Sequence, residues 1–342
     1  MTFSSILGIG SALPERVVRN DELEALTGFL AERMVEFFEI EERRWSRGKA
    51  RPDPGPGQRC SDLASSAAIA AMKNAGVAAS DVGALITVTT TPDFLNPPFD
   101  FLVARALGLF GVPAYSVQAP CTGVFRAVSL AEALLPGLEG KAVLIVAAET
   151  PSPFFRFGPG VTTEQVLNSV LYADGAASLV LGPPAADRPS IELVHLALNT
   201  EDSDPGLMFP GMLSALPPTA ERYEAADWLG HHDFRRVLRR GGKLAADAAM
   251  KVMESLAIEV GDVRFFVTHQ ATGNIRRIGA SHGLPPEKIP VNIGRVGNTV
   301  AASILLLLDE LASSGRLERG DLLVLHTAES STWSSAGMAV RW

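Results

Sequence analysis

The chain has 342 residues, 47% of them hydrophobic and 20% charged, which is the composition of a folded globular protein. That length suits two similar half-domains sharing a core. A net charge of −8 argues against wholesale nucleic-acid binding. No apolar run reaches the roughly 18 residues that span a bilayer, and the N-terminus lacks the basic and apolar regions of a secretory signal. Only two cysteines occur, Cys60 and Cys121, which leaves room for one bridge but for no disulfide framework. The expected compartment is a reducing cytoplasm.

Strand-like and helix-like segments alternate, which predicts an α/β fold. Ile6 to Gly10 reads as the opening strand. Ser61 is the expected N-cap of a helix through Ala67 to Met72. Ala84 to Thr89 is apolar and β-branched, hence a buried strand, and Ala142 to Ala148 and Ala176 to Leu181 follow. The second half repeats the rhythm with strands at Ile191 to Leu196, Phe265 to Thr268, Leu322 to Leu325 and Met338 to Arg341, and a helix from Thr299 to Leu311. The pattern predicts an internal duplication into residues 1–185, which hold Cys121, and residues 186–342, which hold His269 and Asn298. Two long loops stand out. Lys49 to Gln58 is rich in Pro and Gly, and Ser203 to Ala220 carries Leu207, Met208, Phe209, Met212 and Leu213, too apolar for a solvated loop. The second reads as a lid or channel wall.

Cys121 lies between the strand Ala114 to Val117 and the apolar helix Val124 to Leu135. A cysteine there meets the positive end of a helix, which favours thiolate over thiol. A buried packing cysteine is the commoner fate of that residue type. His269 ends the strand Phe265 to Thr268 and so points into the crevice where α/β sheets bind ligands. His231, His232 and His282 read as surface residues. Asn298, after Gly297, either caps a helix or aims its amide at a developing oxyanion. Papain-like proteases carry Cys, His and Asn in the same chain order, and spacing alone does not separate the two.

Further motifs resemble β-ketoacyl-acyl-carrier-protein synthase III of the thiolase superfamily. They are Gly8 to Pro14, Gly108 to Tyr115 running into Cys121, Tyr172-Ala173-Asp174-Gly175, His269-Gln270-Ala271, Gly297-Asn298-Thr299 and the closing Thr332-Trp333 with Val340-Arg341-Trp342. The resemblance covers essentially the whole chain. It implies a duplicated five-layered αβαβα thiolase fold and a homodimer. It implies that Cys121 takes the acyl group, and that His269 and Asn298 hold the carbonyl of the second thioester and stabilise its enolate. It implies no metal and no resident cofactor. Acyl groups would arrive on the phosphopantetheine of an acyl carrier protein, with coenzyme A esters as the other donors.

Departures from the family pattern sharpen these expectations. The Trp and Arg that grip coenzyme A in housekeeping members fall on Arg33 and Phe37, which favours a carrier-protein donor. The Gly-Gly-Gly turn is replaced by Glu329-Ser330-Ser331, so the oxyanion hole of Cys121 would use its own N–H and that of Ser330. Asn96 stands where many members place a partner-supplied aromatic, and Leu95 where head-to-head condensing enzymes place a glutamate. Asn96, Met208, Phe209 and Phe234 are the expected channel residues. Arg235, Arg236, Arg239, Arg240 and Lys243 lie on one predicted helix and, with Arg276, form the expected docking face for an acidic carrier protein. The reading that follows is a stand-alone ketosynthase of polyketide or antibiotic synthesis, resembling the chain-joining ketosynthases of myxopyronin and corallopyronin synthesis, whose products lead to an α-pyrone. An acyltransferase delivering the Cys121 acyl group to a hydroxyl or amine is the runner-up. An inactive partner subunit is disfavoured, because all three site residues are present.

Overall fold

The computed structural model describes residues 4–46, 58–198, 207–208 and 231–342. The first half runs β1 (Ser5–Ala12), β2 (Val17–Arg19), α1 (Asn20–Thr27), α2 (Ala31–Phe38), β3 (Glu42–Arg44), α3 (Cys60–Ala75), β4 (Val82–Val88), α4 (Phe99–Leu107), β5 (Ala114–Val117), α5 (Gly123–Leu134), β6 (Ala142–Glu149), α6 (Thr163–Leu171) and β7 (Gly175–Gly182). The second runs β8 (Ser190–Ala197), β9 (Leu207–Met208), β10 (His231–His232), α7 (Phe234–Leu256), β11 (Val263–Thr268), α8 (Ile275–Ser281), α9 (Ile293–Val296), α10 (Ser303–Ser313), β12 (Leu322–Glu329) and β13 (Ser334–Arg341).

Nine strands follow one another in the order β11-β12-β13-β8-β1-β7-β6-β4-β5. The join between β8 and β1 is a single pairing, Ser5 with Ser190, so the strands fall into two runs. In the first, β4 is parallel to β5 and β6, while β7 is antiparallel to β6 and β1. In the second, β11 is parallel to β12, and β13 is antiparallel to β12 and β8. The second run thus repeats the order and directions of β4, β6, β7 and β1.

Helices cover both runs on both faces. The shared core joins inward side chains of both runs with α5 and α10 between them, among them Ile86, Phe125, Val128, Ile145, Leu305, Leu308 and Leu325. A second core packs α3 and α4 on the outer face of the first run through Leu63, Ala67, Phe99 and Leu144. A third packs α7 on the outer face of the second run through Ala249, Val252, Phe266 and Val324. Helix, sheet, helix, sheet, helix is the five-layered thiolase architecture. Strands β6 and β7 are buried along their whole length because both faces are covered, which explains their unbroken apolar sequence.

Local details depart from the sequence pattern in two places. Helix α3 begins at Cys60, and Ser61 is not its cap. The carboxylate of Asp93 accepts from the N–H of Cys60 (2.8 Å) and of Ser61 (3.3 Å) instead. The expected helix from Thr299 starts as a 3-10 turn over Val300–Ala302 and becomes α-helical at Ser303. Lys49 to Gly57 and most of Ser203 to Ala220 lie outside the described residues; Leu207 and Met208 pair as a short strand with His232 and His231. Cys60 and Cys121 form no disulfide. No helix among the described residues is long and apolar enough to cross a membrane.

Candidate active site

The chemistry gathers where the parallel strands end. Cys121 follows β5, His269 follows β11, Glu149 is the last residue of β6, and Glu329 is the last residue of β12. Cys121 stands just before Thr122, the N-cap of α5. The Cys121 Sγ lies 3.3 Å from Nε2 of His269, across 148 residues of sequence. His269 is 5% exposed, and burial pushes its imidazole down to about 4, so it is neutral at pH 7. Its backbone N–H donates to His326 O, and its Nδ1 has no hydrogen-bond partner among the described residues.

Asn298 comes to the same end of the molecule through backbone pairing. Its N–H donates to Leu171 O (3.0 Å) and its carbonyl accepts from Ala173 N–H (2.9 Å), a one-residue parallel bridge to Tyr172. Its side-chain Oδ1 accepts from Val300 N–H at 2.9 Å, which orients the amide. Gly297 makes this approach feasible. It sits at φ 78°, ψ −176°, a region essentially reserved for glycine, and an added Cβ would stand 2.6 Å from Ala173 Cβ and 2.9 Å from Arg43 Cβ.

Cys121 is packed against an apolar cluster containing Ile40, Leu171, Tyr172, Leu207, Ile293 and Val300, with Phe38, Phe155 and Phe234 around it. Such a wall suits an acyl chain. Phe234, an expected channel residue, packs against the same cluster as Cys121. Its ring stacks on His232 with centroids 3.7 Å apart and leans on Phe38 at 6.4 Å. Phe209 and the side chain of Met208 lie outside the described residues, while the neighbouring Leu207 is buried in the cluster. Asn96 is exposed, on a loop with a cis Asn96–Pro97 bond, and that loop contributes nothing to the Cys121 cluster of its own chain.

Three expectations need correction. His232 is not a surface residue: it is 5% exposed, its ring stacks on Phe234 and Tyr172, and its Nδ1 lies 3.0 Å from Asn168 Oδ1. The basic residues of α7 do not share one exposed face. Arg235, Arg239 and Lys243 are exposed, with Lys243 paired to Asp247 at 2.6 Å. Arg236 and Arg240 are half-buried, their guanidinium carbons 5.3 and 5.4 Å from the ring centre of Trp333. Arg276, on α8, is exposed and donates from Nε to Ile289 O at 2.9 Å. Finally, the helix start does not yield a resting thiolate. Burial first, then the charges of Glu329 and Glu149, push the Cys121 thiol well up, and only its own N–H opposes them.

Glu149 and Glu329 are acidic residues whose charges reach Cys121, and the motifs did not reveal them. Glu149 is fully buried and accepts from Thr90 N–H (3.0 Å), Thr90 Oγ1–H (3.0 Å) and Thr91 Oγ1–H (2.7 Å); burial raises its carboxyl to about 7. Glu329 is 1% exposed and accepts from the N–H of Thr122 at 3.2 Å and from the Thr122 hydroxyl. Each closes a buried strand, and a carboxylate at the end of a buried strand is the signal that marks them. Ser330 lies next in the turn between β12 and β13, which Glu329 ties to the start of α5. A separate cleft of about 580 Å³, lined by residues 184–190, Arg319 and Arg341, lies at the opposite strand ends from His269. No group of three or more His, Cys, Asp or Glu side chains among the described residues is arranged to hold a metal ion.

Comparison with known proteins agrees with this geometry. Residues 115–201 match the family model for 3-oxoacyl-[acyl-carrier-protein] synthase III, and residues 253–342 match the model for its C-terminal part. The β-ketoacyl-[acyl-carrier-protein] synthase III of Laribacter hongkongensis is 32% identical over 98% of this chain and 99% of that protein. The solved structure of the tetronic acid condensing enzyme AbyA1 superposes with a TM-score of 0.87 at 25% identity, covering 99% of this chain and 100% of that one. A priming β-ketosynthase of a polyketide biosynthetic pathway superposes with a TM-score of 0.83 at 25% identity, covering 99% of this chain and 96% of that one. The chain belongs to the β-ketoacyl-[acyl-carrier-protein] synthase III family of thiolase-fold, acyl-transferring condensing enzymes.

Proposed function

We propose that this chain is a stand-alone ketosynthase of polyketide or antibiotic synthesis, condensing carrier-protein-bound acyl thioesters through an acyl-Cys121 intermediate. The observation that carries the reading is the 3.3 Å contact between Cys121 Sγ and His269 Nε2 inside an apolar wall. In the first step Sγ attacks the thioester carbon, the bond from that carbon to the pantetheine sulfur breaks, and the Sγ proton passes by way of His269 to the leaving sulfur. In the second, Asn298 and His269 donate to the carbonyl oxygen of the extender, where enolate charge develops. A neutral imidazole suits this, since it donates without protonating the enolate. The enolate carbon then attacks the acyl carbon, the bond to Sγ breaks, and the thiolate takes a proton, from solvent where the enolate formed by loss of carbon dioxide and, by way of His269, from the extender carbon where it formed by loss of a proton. The N–H groups of Cys121 and Ser330 are assigned to the oxyanion of that tetrahedral state.

The enolate arises by loss of carbon dioxide from a malonyl thioester, or by loss of a proton from a carbon between two carbonyls in a β-ketoacyl thioester. The likeness to a synthase III of Laribacter hongkongensis favours the first. The second, joining two β-ketoacyl chains toward an α-pyrone, rests on the sequence resemblance. The likeness to a tetronic acid condensing enzyme and to a priming ketosynthase supports specialised metabolism. Arg235, Arg239 and Lys243 form the exposed stripe we assign to an acidic carrier protein. Phe37, exposed where housekeeping members grip coenzyme A, supports carrier-protein donors over coenzyme A esters. A homodimer is supported by exposed Phe94, Leu95, Phe101, Phe110 and Tyr115 beside the edge of β5, which pairs with no strand among the described residues.

Intact-mass measurement with a panel of acyl carrier proteins and acyl coenzyme A esters tests the reading. The wild type gains one acyl mass, more from carrier proteins than from coenzyme A, and Cys121→Ala gains none. Supplying malonyl or β-ketoacyl carrier protein then yields a carbon–carbon-linked product. An ester or amide without a new carbon–carbon bond would overturn the reading in favour of acyl transfer to a heteroatom.

A further inference from the structure

The start of the nucleophile helix is held by a carboxylate that the condensing steps do not require. Glu329 accepts at Oε2 from the N–H of Thr122 (3.2 Å) and from its hydroxyl. At Oε1 it accepts from Ser331 Oγ (3.0 Å) and Thr332 Oγ1 (2.7 Å), and Arg126 Nη2 of α5 lies 3.6 Å away. Arg126 also donates from Nε to Thr122 Oγ1 at 3.1 Å. One buried side chain therefore joins the β12–β13 turn to the residue next to Cys121.

The placement has an electrostatic consequence. Unpaired N–H groups make a helix start positive, and that end stabilises a nearby thiolate. Here the Thr122 N–H is occupied by an anion. The groups facing Cys121 from the packed elements are Glu329 from β12, Glu149 from β6, Tyr172 ahead of β7 and His269 after β11. The two carboxylates both oppose a negative sulfur, and the buried, neutral His269 supplies no compensating charge at pH 7. The cation in the cluster, Arg126, faces Glu329.

We propose that Glu329 is a positioning residue that latches the β12–β13 turn onto the nucleophile helix and holds Cys121 as an uncharged thiol until a thioester is seated. Removal of the proton is thereby deferred to His269 in the presence of substrate, and the resting enzyme is shielded from stray electrophiles. The inference rests on the reading of Cys121 as the acyl carrier.

The test is the pH dependence of Cys121 alkylation by iodoacetamide, followed by peptide mass, in the full chain. Glu329→Gln keeps an oxygen that accepts from Thr122 and removes the charge. Its alkylation midpoint falls by about one pH unit, which is about a tenfold faster reaction at a fixed pH below the midpoint. Arg126→Gln leaves the carboxylate less compensated, and its midpoint rises. Mere loosening of the turn would not give shifts of opposite sign. An unchanged or raised midpoint in folded Glu329→Gln overturns the proposal. If that variant does not fold, Arg126→Gln decides: a rise supports the latch, and a fall or no change overturns it. Failure of Cys121 to accept acyl groups from any thioester would sink the proposed function while leaving the alkylation profiles as they are, so the two failures are distinguishable.

Discussion

Two buried histidines lie on neighbouring strands, His269 after β11 and His326 within β12, and burial pushes both down to about 4. His326 donates from Nδ1 to Ala245 O at 2.9 Å, and its Nε2 has no partner among the described residues. Both values lie below the ordinary 6.5, so the unfolded chain takes up protons that the folded chain refuses. The stability involved is fully present above about pH 6.5 and is lost as pH falls toward 4. Glu149, raised to about 7, works in the opposite direction, because its burial becomes costly as pH rises from 4.5 to 7. A difference measurement isolates one group. The stability of the wild type relative to His326→Gln, from urea unfolding, falls by about 2 kcal/mol between pH 7 and pH 5. A difference independent of pH would refute the buried-neutral assignment.

At the scale of elements, Gly297 decides whether Asn298 reaches the site. Gly297→Ala places a Cβ against Ala173 and Arg43 in a backbone region closed to alanine. It is expected to cost about 3 kcal/mol in denaturant unfolding and at least about a hundredfold in condensation. Acylation of Cys121, which does not use Asn298, falls far less. Helix α7 supplies a contrasting pair of outcomes. Reversing Arg235, Arg239 and Lys243 to Glu raises the KM for acyl carrier protein about tenfold and leaves a small thioester donor unaffected. Arg236→Ala and Arg240→Ala instead lower thermal stability, each by about 1 kcal/mol, because they uncover Trp333.

The same elements show what sequence conveys. Cys121, His269 and Asn298 stand in short motifs whose residue types carry their chemistry, and the strands declare themselves by apolar, β-branched runs. Helical spacing tells which arginines share a face of α7 but not that Trp333, from the β12–β13 turn, covers one face. His232 reads as polar because its burial comes from Tyr172, Asn168 and Phe234, none of them adjacent to it in sequence. The cap of α3 comes from Asp93, and the charge beside Cys121 from Glu329, both distant in sequence. What escaped the sequence is therefore what depends on contacts between elements.

At the scale of the molecule, the first run ends at β5, whose outer edge pairs with no strand among the described residues and has an apolar surround. Phe110, 80% exposed, stands at its approach. Phe110→Glu together with Leu95→Glu is expected to shift the chain from dimer to monomer in light scattering. A dimer that survives both changes would place the interface elsewhere.

The segment from Phe37 to Arg43 touches the loops that carry His269 and Asn298. Gly273 N–H donates to Phe38 O at 2.7 Å, Asn274 Nδ2 to Phe37 O at 2.9 Å, and Glu41 N–H to Gly294 O at 2.9 Å, while Arg43 lies beneath Gly297. This strip of chain acts as a common rail for the His269 and Asn298 loops. Because the strip leaves α2 at its C-terminal end and is tied to both loops, the positions of His269 and Asn298 depend on one shared anchor and not on two independent ones.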